Sequence, residues 1–150
     1  MMDLLRVEKD IVGYIEENCE KHLELFGLEK PQITREFLNL DRFKRKFTCF
    51  INLHDSGITF SDDRYQTDCA GTMTIRMSIF LLFRDDIPET MEERMLNAAS
   101  AFHELMSRPE ARCDLSFNEM KVREIRTHPI VAGTQKMLGA ELEIEIDTDI

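Results

Sequence analysis

The sequence predicts an α+β fold, with a mainly antiparallel sheet of about four to five strands packed against two helices in the order α-β-β-β-α-β-β. Three observations carry this. An apolar stripe at helical spacing runs through the first 26 residues. A strict two-residue alternation covers Thr72 to Arg84. Two C-terminal segments alternate in ways that match each other across a hairpin.

The helix covers roughly residues 2–26. Leu4, Leu5, Val7, Ile11, Val12, Ile15, Cys19, Leu23 and Phe26 recur at spacings of three and four, while Glu8, Glu16, Glu17, Glu20 and Lys21 lie mainly off that stripe. Gly27 is a fitting stop, with Pro31 beyond it. Gly13 sits inside the helix, where glycine costs about 1 kcal/mol against alanine, which hints at close packing.

Strand character follows. Phe47, Cys49, Ile51 and Leu53 alternate with Thr48, Phe50 and Asn52, then His54-Asp55-Ser56-Gly57 signals a turn. Ile58-Thr59-Phe60 reads as a short return strand, and Ser61 to Gly71 as a polar loop. In the long strand, Met73, Ile75, Met77, Ile79, Leu81 and Phe83 form one face. Thr72, Thr74, Arg76 and Ser78 start the other face, which Phe80 and Leu82 then turn apolar. Something must cover that apolar end: a loop, a helix or another subunit. Phe80 and Leu82 are therefore a candidate subunit-contact patch. At about 3.3 Å per residue the strand would span roughly 43 Å, against roughly 38 Å for a compact sphere of this chain. It must protrude, bend or stop early.

Asp86-Ile87-Pro88-Glu89 starts a second helix, whose stripe of Met91, Met95, Leu96, Ala98, Ala99, Phe102, Leu105 and Met106 ends before Pro109. In the last two strands, an antiparallel register sets Met120 opposite Ile146 and Val122 opposite Ile144. The same register sets Lys121 opposite Glu145 and Arg123 opposite Glu143. Apolar meets apolar on one face and opposite charges meet on the other.

The 150 residues fit one domain, 1–150. With 43% hydrophobic and 32% charged residues, the chain has the balance of a folded globule. Its longest apolar run, Ile79 to Phe83, is far short of a membrane span. The start, Met1-Met2-Asp3-Leu4-Leu5-Arg6, lacks an apolar leader core, so a cytoplasmic location is expected. A net charge of −10 disfavours a nucleic-acid binder, which needs a basic face. The basic run Arg42-Phe43-Lys44-Arg45-Lys46-Phe47 interleaves aromatics in a way that suits single strands, although a solvated surface explains it as well. Cys19, Cys49, Cys69 and Cys113 match no zinc spacing and are expected to be reduced thiols.

No nucleophile elbow, phosphate loop, dinucleotide fingerprint or zinc-protease motif occurs in the sequence. His22, His54, His103 and His128 show no convergent partner. No catalytic residue, metal ligand or cofactor is assigned. The acidic stripe Glu141, Glu143, Glu145 and Asp147 is the sharpest candidate site. Side chains at i and i+2 on a flat strand converge poorly on one cation, so it reads either as a salt-bridged sheet face or as a negative wall in an assembly. Asp62, Asp63 and Asp68 offer further carboxylates in the polar loop.

In size and element order the chain resembles the tail-terminator and neck-type (tail-completion) proteins of tailed bacteriophages and prophages. The resemblance rests on the N-terminal helix, the strand Met73-Thr74-Ile75-Arg76-Met77-Ser78-Ile79, the helix from Pro88 to about Ser107, and Gly139-Ala140-Glu141-Leu142-Glu143-Ile144-Glu145-Ile146. It implies a homo-oligomeric ring, often a hexamer, that caps a tail tube, contacts other tail or neck proteins and joins the tube to the head. It implies no enzyme activity, no membrane and no sequence-specific nucleic-acid contact, with DNA passing through the lumen. On that likeness the acidic stripe would face the lumen and repel phosphates. The alternative expectation is a small intracellular protein-binding adaptor with no phage connection.

Overall fold

The computed structural model describes residues 3–36, 38, 42, 44–52, 57–61, 72–84, 87–107, 119–132 and 135–149. The fold is α+β, with two helices on a six-stranded sheet. The strands are β1 (Gln32–Thr34), β2 (Phe47–Asn52), β3 (Ile58–Ser61), β4 (Thr72–Arg84), β5 (Glu119–Ala132) and β6 (Gln135–Asp149). The helices are α1 (Leu4–Glu24) and α2 (Pro88–Ser107). The sheet order is β1-β2-β4-β6-β5, with β3 also paired to β4.

Helix α1 begins where the Asp3 side chain accepts a bond from the Arg6 N–H. It ends where Gly27 takes φ +70°, a conformation only glycine adopts freely. There the Leu28 N–H returns to the Leu23 carbonyl and the Gly27 N–H to that of Glu24, so two late carbonyls are satisfied. Val7, Ile11, Ile15, Cys19 and Leu23 are buried as the stripe predicts, whereas Leu4, Leu5 and Phe26 at its ends stay exposed. A side-chain carbon at Gly13 would meet nothing within 4 Å, so close packing does not explain that glycine.

Strand β4 neither protrudes nor stops early. It pairs with β6 along its whole length, from Thr72 opposite Asp149 to Arg84 opposite Met137. On its other side β2 pairs with Ser78 to Phe83 and β3 with Thr72 to Ile75. Ile58-Thr59-Phe60 is thus a strand, but it pairs with β4 rather than returning along β2. The sequence reading lacks β1, which runs parallel to β2. Three residues after Pro31 are too few to show a period.

Both helices pack on one face, α1 over β1 and β2 and α2 over β4, β5 and β6. That face is apolar throughout β4, from Met73 to Phe83, and continues through Ala140, Leu142, Ile144 and Ile146. The opposite face carries a second, smaller cluster of Phe50, Leu82 and Met137, flanked by Phe80 and Ile130.

Candidate functional site

The C-terminal hairpin sets the chemistry of the face opposite the helices. Met120, Lys121 and Val122 pair with Ile146, Glu145 and Ile144, as the alternation predicts. Arg123 does not pair with Glu143. A bulge between Val122 and Glu124 makes Arg123 an extra residue, and Glu124 stands opposite Glu143 instead. Past the bulge the facing of β5 reverses in sequence parity. Apolar Ile125 follows Val122 at a spacing of three, and Arg126 and His128 now point to the polar face.

The bulge concentrates cations on one carboxylate. The Arg123 Nη1 donates to Glu145 Oε2 at 2.6 Å, Lys121 Nζ lies 3.7 Å from Oε1, and Arg76 Nε lies 3.9 Å from Oε2. The Arg123 bond and charge hold the Glu145 carboxyl below its usual range, with Lys121 and Arg76 adding to the effect. One row along, Arg126 Nη2 lies 3.6 Å from Glu143 and 3.7 Å from Glu141. Glu141 also accepts from Ser78 at 3.0 Å and sits 3.1 Å from His128 Nε2. Asp147 accepts from the Thr74 hydroxyl at 2.7 Å. Glu141, Glu143, Glu145 and Asp147 therefore share one face, but as half of an interleaved lattice rather than a bare negative wall.

A folded-state pKa below the unfolded one stabilises the fold above the unfolded value, and that contribution disappears as pH falls through the lowered folded value. Wild type should accordingly lose a Glu145 contribution below about pH 4.5. Glu145→Gln is expected to lower stability at pH 7 by about 1 kcal/mol or less, because the pairs are solvent-facing. The difference between the two proteins should shrink toward pH 3. Urea titrations across that range check this; a gap that widens on acidification would contradict the assignment.

Phe80 and Leu82 are unequal. Leu82 is 0% exposed, together with Phe50 and Met137 at 1% each, so the chain itself covers this end and leaves Leu82 no surface for a subunit. Phe80 is half-buried, stacked on His128 with ring centroids 5.9 Å apart. It also lies directly over Gly139, where a side-chain carbon would fall 2.3 Å from the ring. Glycine at this position makes room for the ring.

Among the described residues, the remaining candidates do not converge. His22 is buried on α1 and His103 exposed on α2, on the opposite side of the sheet from His128. Cys19 and Cys49 are buried free thiols, and burial pushes Cys19 up to about 11 and Cys49 well above its ordinary value. Both are therefore protonated and poor nucleophiles at neutral pH. In the basic run, Arg42 pairs with Glu36 at 3.0 Å, and Phe47 is buried and stacked on Phe83. Phe47 is therefore core rather than a platform for bases. Leu53, His54, Asp55, Ser56, Asp62, Asp63, Asp68, Cys69, Asp86, Cys113 and Phe43 lie outside the described residues. Among the described residues, no group of three or more His, Cys, Asp or Glu is arranged to hold a metal ion. Among them too, no helix is long and apolar enough to cross a membrane.

Compared with protein-family models and with curated proteins, the chain matches none.

Proposed function

We propose that the chain is a structural assembly protein of the phage tail-terminator or neck type, acting as a ring that caps a tail tube and joins it to the head. The observation that carries this reading is the one-sided sheet. Both helices pack on one face, and β4, β5 and β6 leave the other as a broad charged lattice. A lumen wall needs such a surface. Its cations are engaged by Glu141, Glu143 and Glu145, which leaves little to grip phosphates, so a polyanion can pass along it without being held. The reading is non-enzymatic, with further copies of this chain and other tail or neck proteins as partners.

Native mass spectrometry and negative-stain microscopy, on the protein alone and with purified tail tubes, test it. The expected result is a closed ring, free or at one tube end. A protein that stays unassembled, leaves tubes bare and is encoded away from capsid, portal and tail genes would overturn it in favour of an adaptor.

A further inference from the structure

We infer that the outer edge of β5 is a self-complementary docking strand that pairs antiparallel with β5 of a second copy, centred on His128. This does not rest on the ring reading; it assigns a two-fold contact in addition to it.

Strand β5 is the last in the sheet order, so its outer edge has no partner strand among the described residues. The backbone orientation along that edge follows from two facts. Ala132 pairs with Gln135 across two intervening residues, and the closing pair of such a hairpin exchanges both bonds inward. Orientation alternates, so Ile125, Thr127, Pro129 and Val131 direct their backbone groups outward. Pro129 agrees independently, since a proline inside a strand belongs where its missing N–H faces away from the sheet.

Two of the same residues are apolar and exposed. Ile125 is 39% exposed and Val131 70%. Their side chains are on the helix-bearing face, opposite Leu142 and Lys136, so the apolar stripe and the unpaired backbone share one border.

The register follows from the ends of the regular stretch. The bulge closes it at Glu124 and the hairpin turn at Ala132. A two-fold on His128, midway between them, matches the whole stretch with itself. Ile125 then meets Val131 of the second copy twice, and each pair exchanges both backbone bonds. Thr127 donates to the Pro129 carbonyl of the second copy and receives nothing back. Shifting the centre to Arg126 sets like charges directly opposite and runs into the bulge. Shifting it to Pro129 wastes both missing donors and shortens the ladder. At the chosen centre His128 meets its own copy, and each ring already lies 3.1 Å from its own Glu141 carboxylate. The lost Pro129 donor keeps the contact weak, and so does the −10 charge of each chain. Salt should therefore strengthen the association.

Sedimentation velocity on the full chain tests this with a charge swap. Wild type is expected to dimerise with rising concentration, more readily at higher salt. Ile125→Glu and Val131→Lys should each weaken the dimer at least tenfold, since each leaves an ion facing an apolar partner. The double variant should recover most of the loss, because this register alone brings the new Glu and Lys together. Circular dichroism melts confirm that each variant folds. A wild-type monomer at all concentrations, singles that bind like wild type, or a double variant that fails to recover would overturn the proposal. A ring indifferent to all three variants would overturn it while leaving the proposed function intact.

Discussion

Leu82→Ala is expected to destabilise the protein by about 2–5 kcal/mol, the range for truncating a leucine in a closed core. The sequence makes Leu82 half of a candidate subunit-contact patch, so the size of the loss discriminates. The side chain is 0% exposed, although it lies on the face opposite the helices. Phe50 and Met137 seal it laterally from β2 and β6, and Phe80 and Ile130 border them. β4 holds its backbone between two neighbours, with Leu82 opposite Thr48 on one side and Gly139 on the other. Such a backbone cannot move in to fill the void. Phe80→Ala should be milder than Leu82→Ala, since Phe80 is only half-buried. The chain has no tryptophan, so urea unfolding followed by far-UV circular dichroism is the measurement. A Leu82→Ala loss below about 1 kcal/mol would mean the site is open after all, and Leu82 would return as a candidate contact with a second subunit.

The alternation of β4 and β6 was legible because each strand is long and its helix-facing side is continuously apolar. A period of two needs only three or four repeats to stand out, and Met73 to Phe83 supplies more. Helix α2 was legible from Pro88 through Ser107 for the same reason, with proline marking its first turn. The hairpin register was legible from Met120 to Val122, where apolar and charged residues agree on both faces. It failed at Arg123, because a bulge needs no special residue and leaves the composition of the strand unchanged. The one signal available was the spacing of three from Val122 to Ile125, which breaks the alternation at the bulge. Pro129 marks a second limit of the sequence. Proline in sequence reads as a boundary, yet on an edge strand it continues the ladder at an outward position. The charged lattice was half visible: the carboxylates stand out at every second residue of β6, but their cations come from β4 and β5. Arg76, Arg126 and His128 become neighbours of those carboxylates only once the sheet order is known. Gly139 gave no sign of its role, because what it accommodates, the Phe80 ring, comes from a strand 59 positions earlier.

Gly139→Ala is expected to destabilise the protein by about 1–3 kcal/mol, against the usual preference of a strand for alanine over glycine. The new carbon would fall 2.3 Å from Phe80 Cζ and 2.7 Å from Cε1, where no atom can stay. The ring must swing aside, because the Gly139 backbone is fixed between Leu82 and His128 of the flanking strands. Swinging aside breaks the stack on His128 and uncovers the border of the Phe50, Leu82 and Met137 cluster. The same substitution in a Phe80→Ala background has no ring to displace. There Gly139→Ala should be neutral or stabilising by up to about 1 kcal/mol, since alanine loses less backbone freedom on folding. The opposite signs in the two backgrounds define a coupling that a double-mutant cycle in urea reads directly. If Gly139→Ala carries the same penalty with and without the Phe80 ring, the glycine answers to backbone geometry rather than to the aromatic lid. If the sign reverses, Phe80 is a fixed cover whose place depends on a missing side chain one strand away.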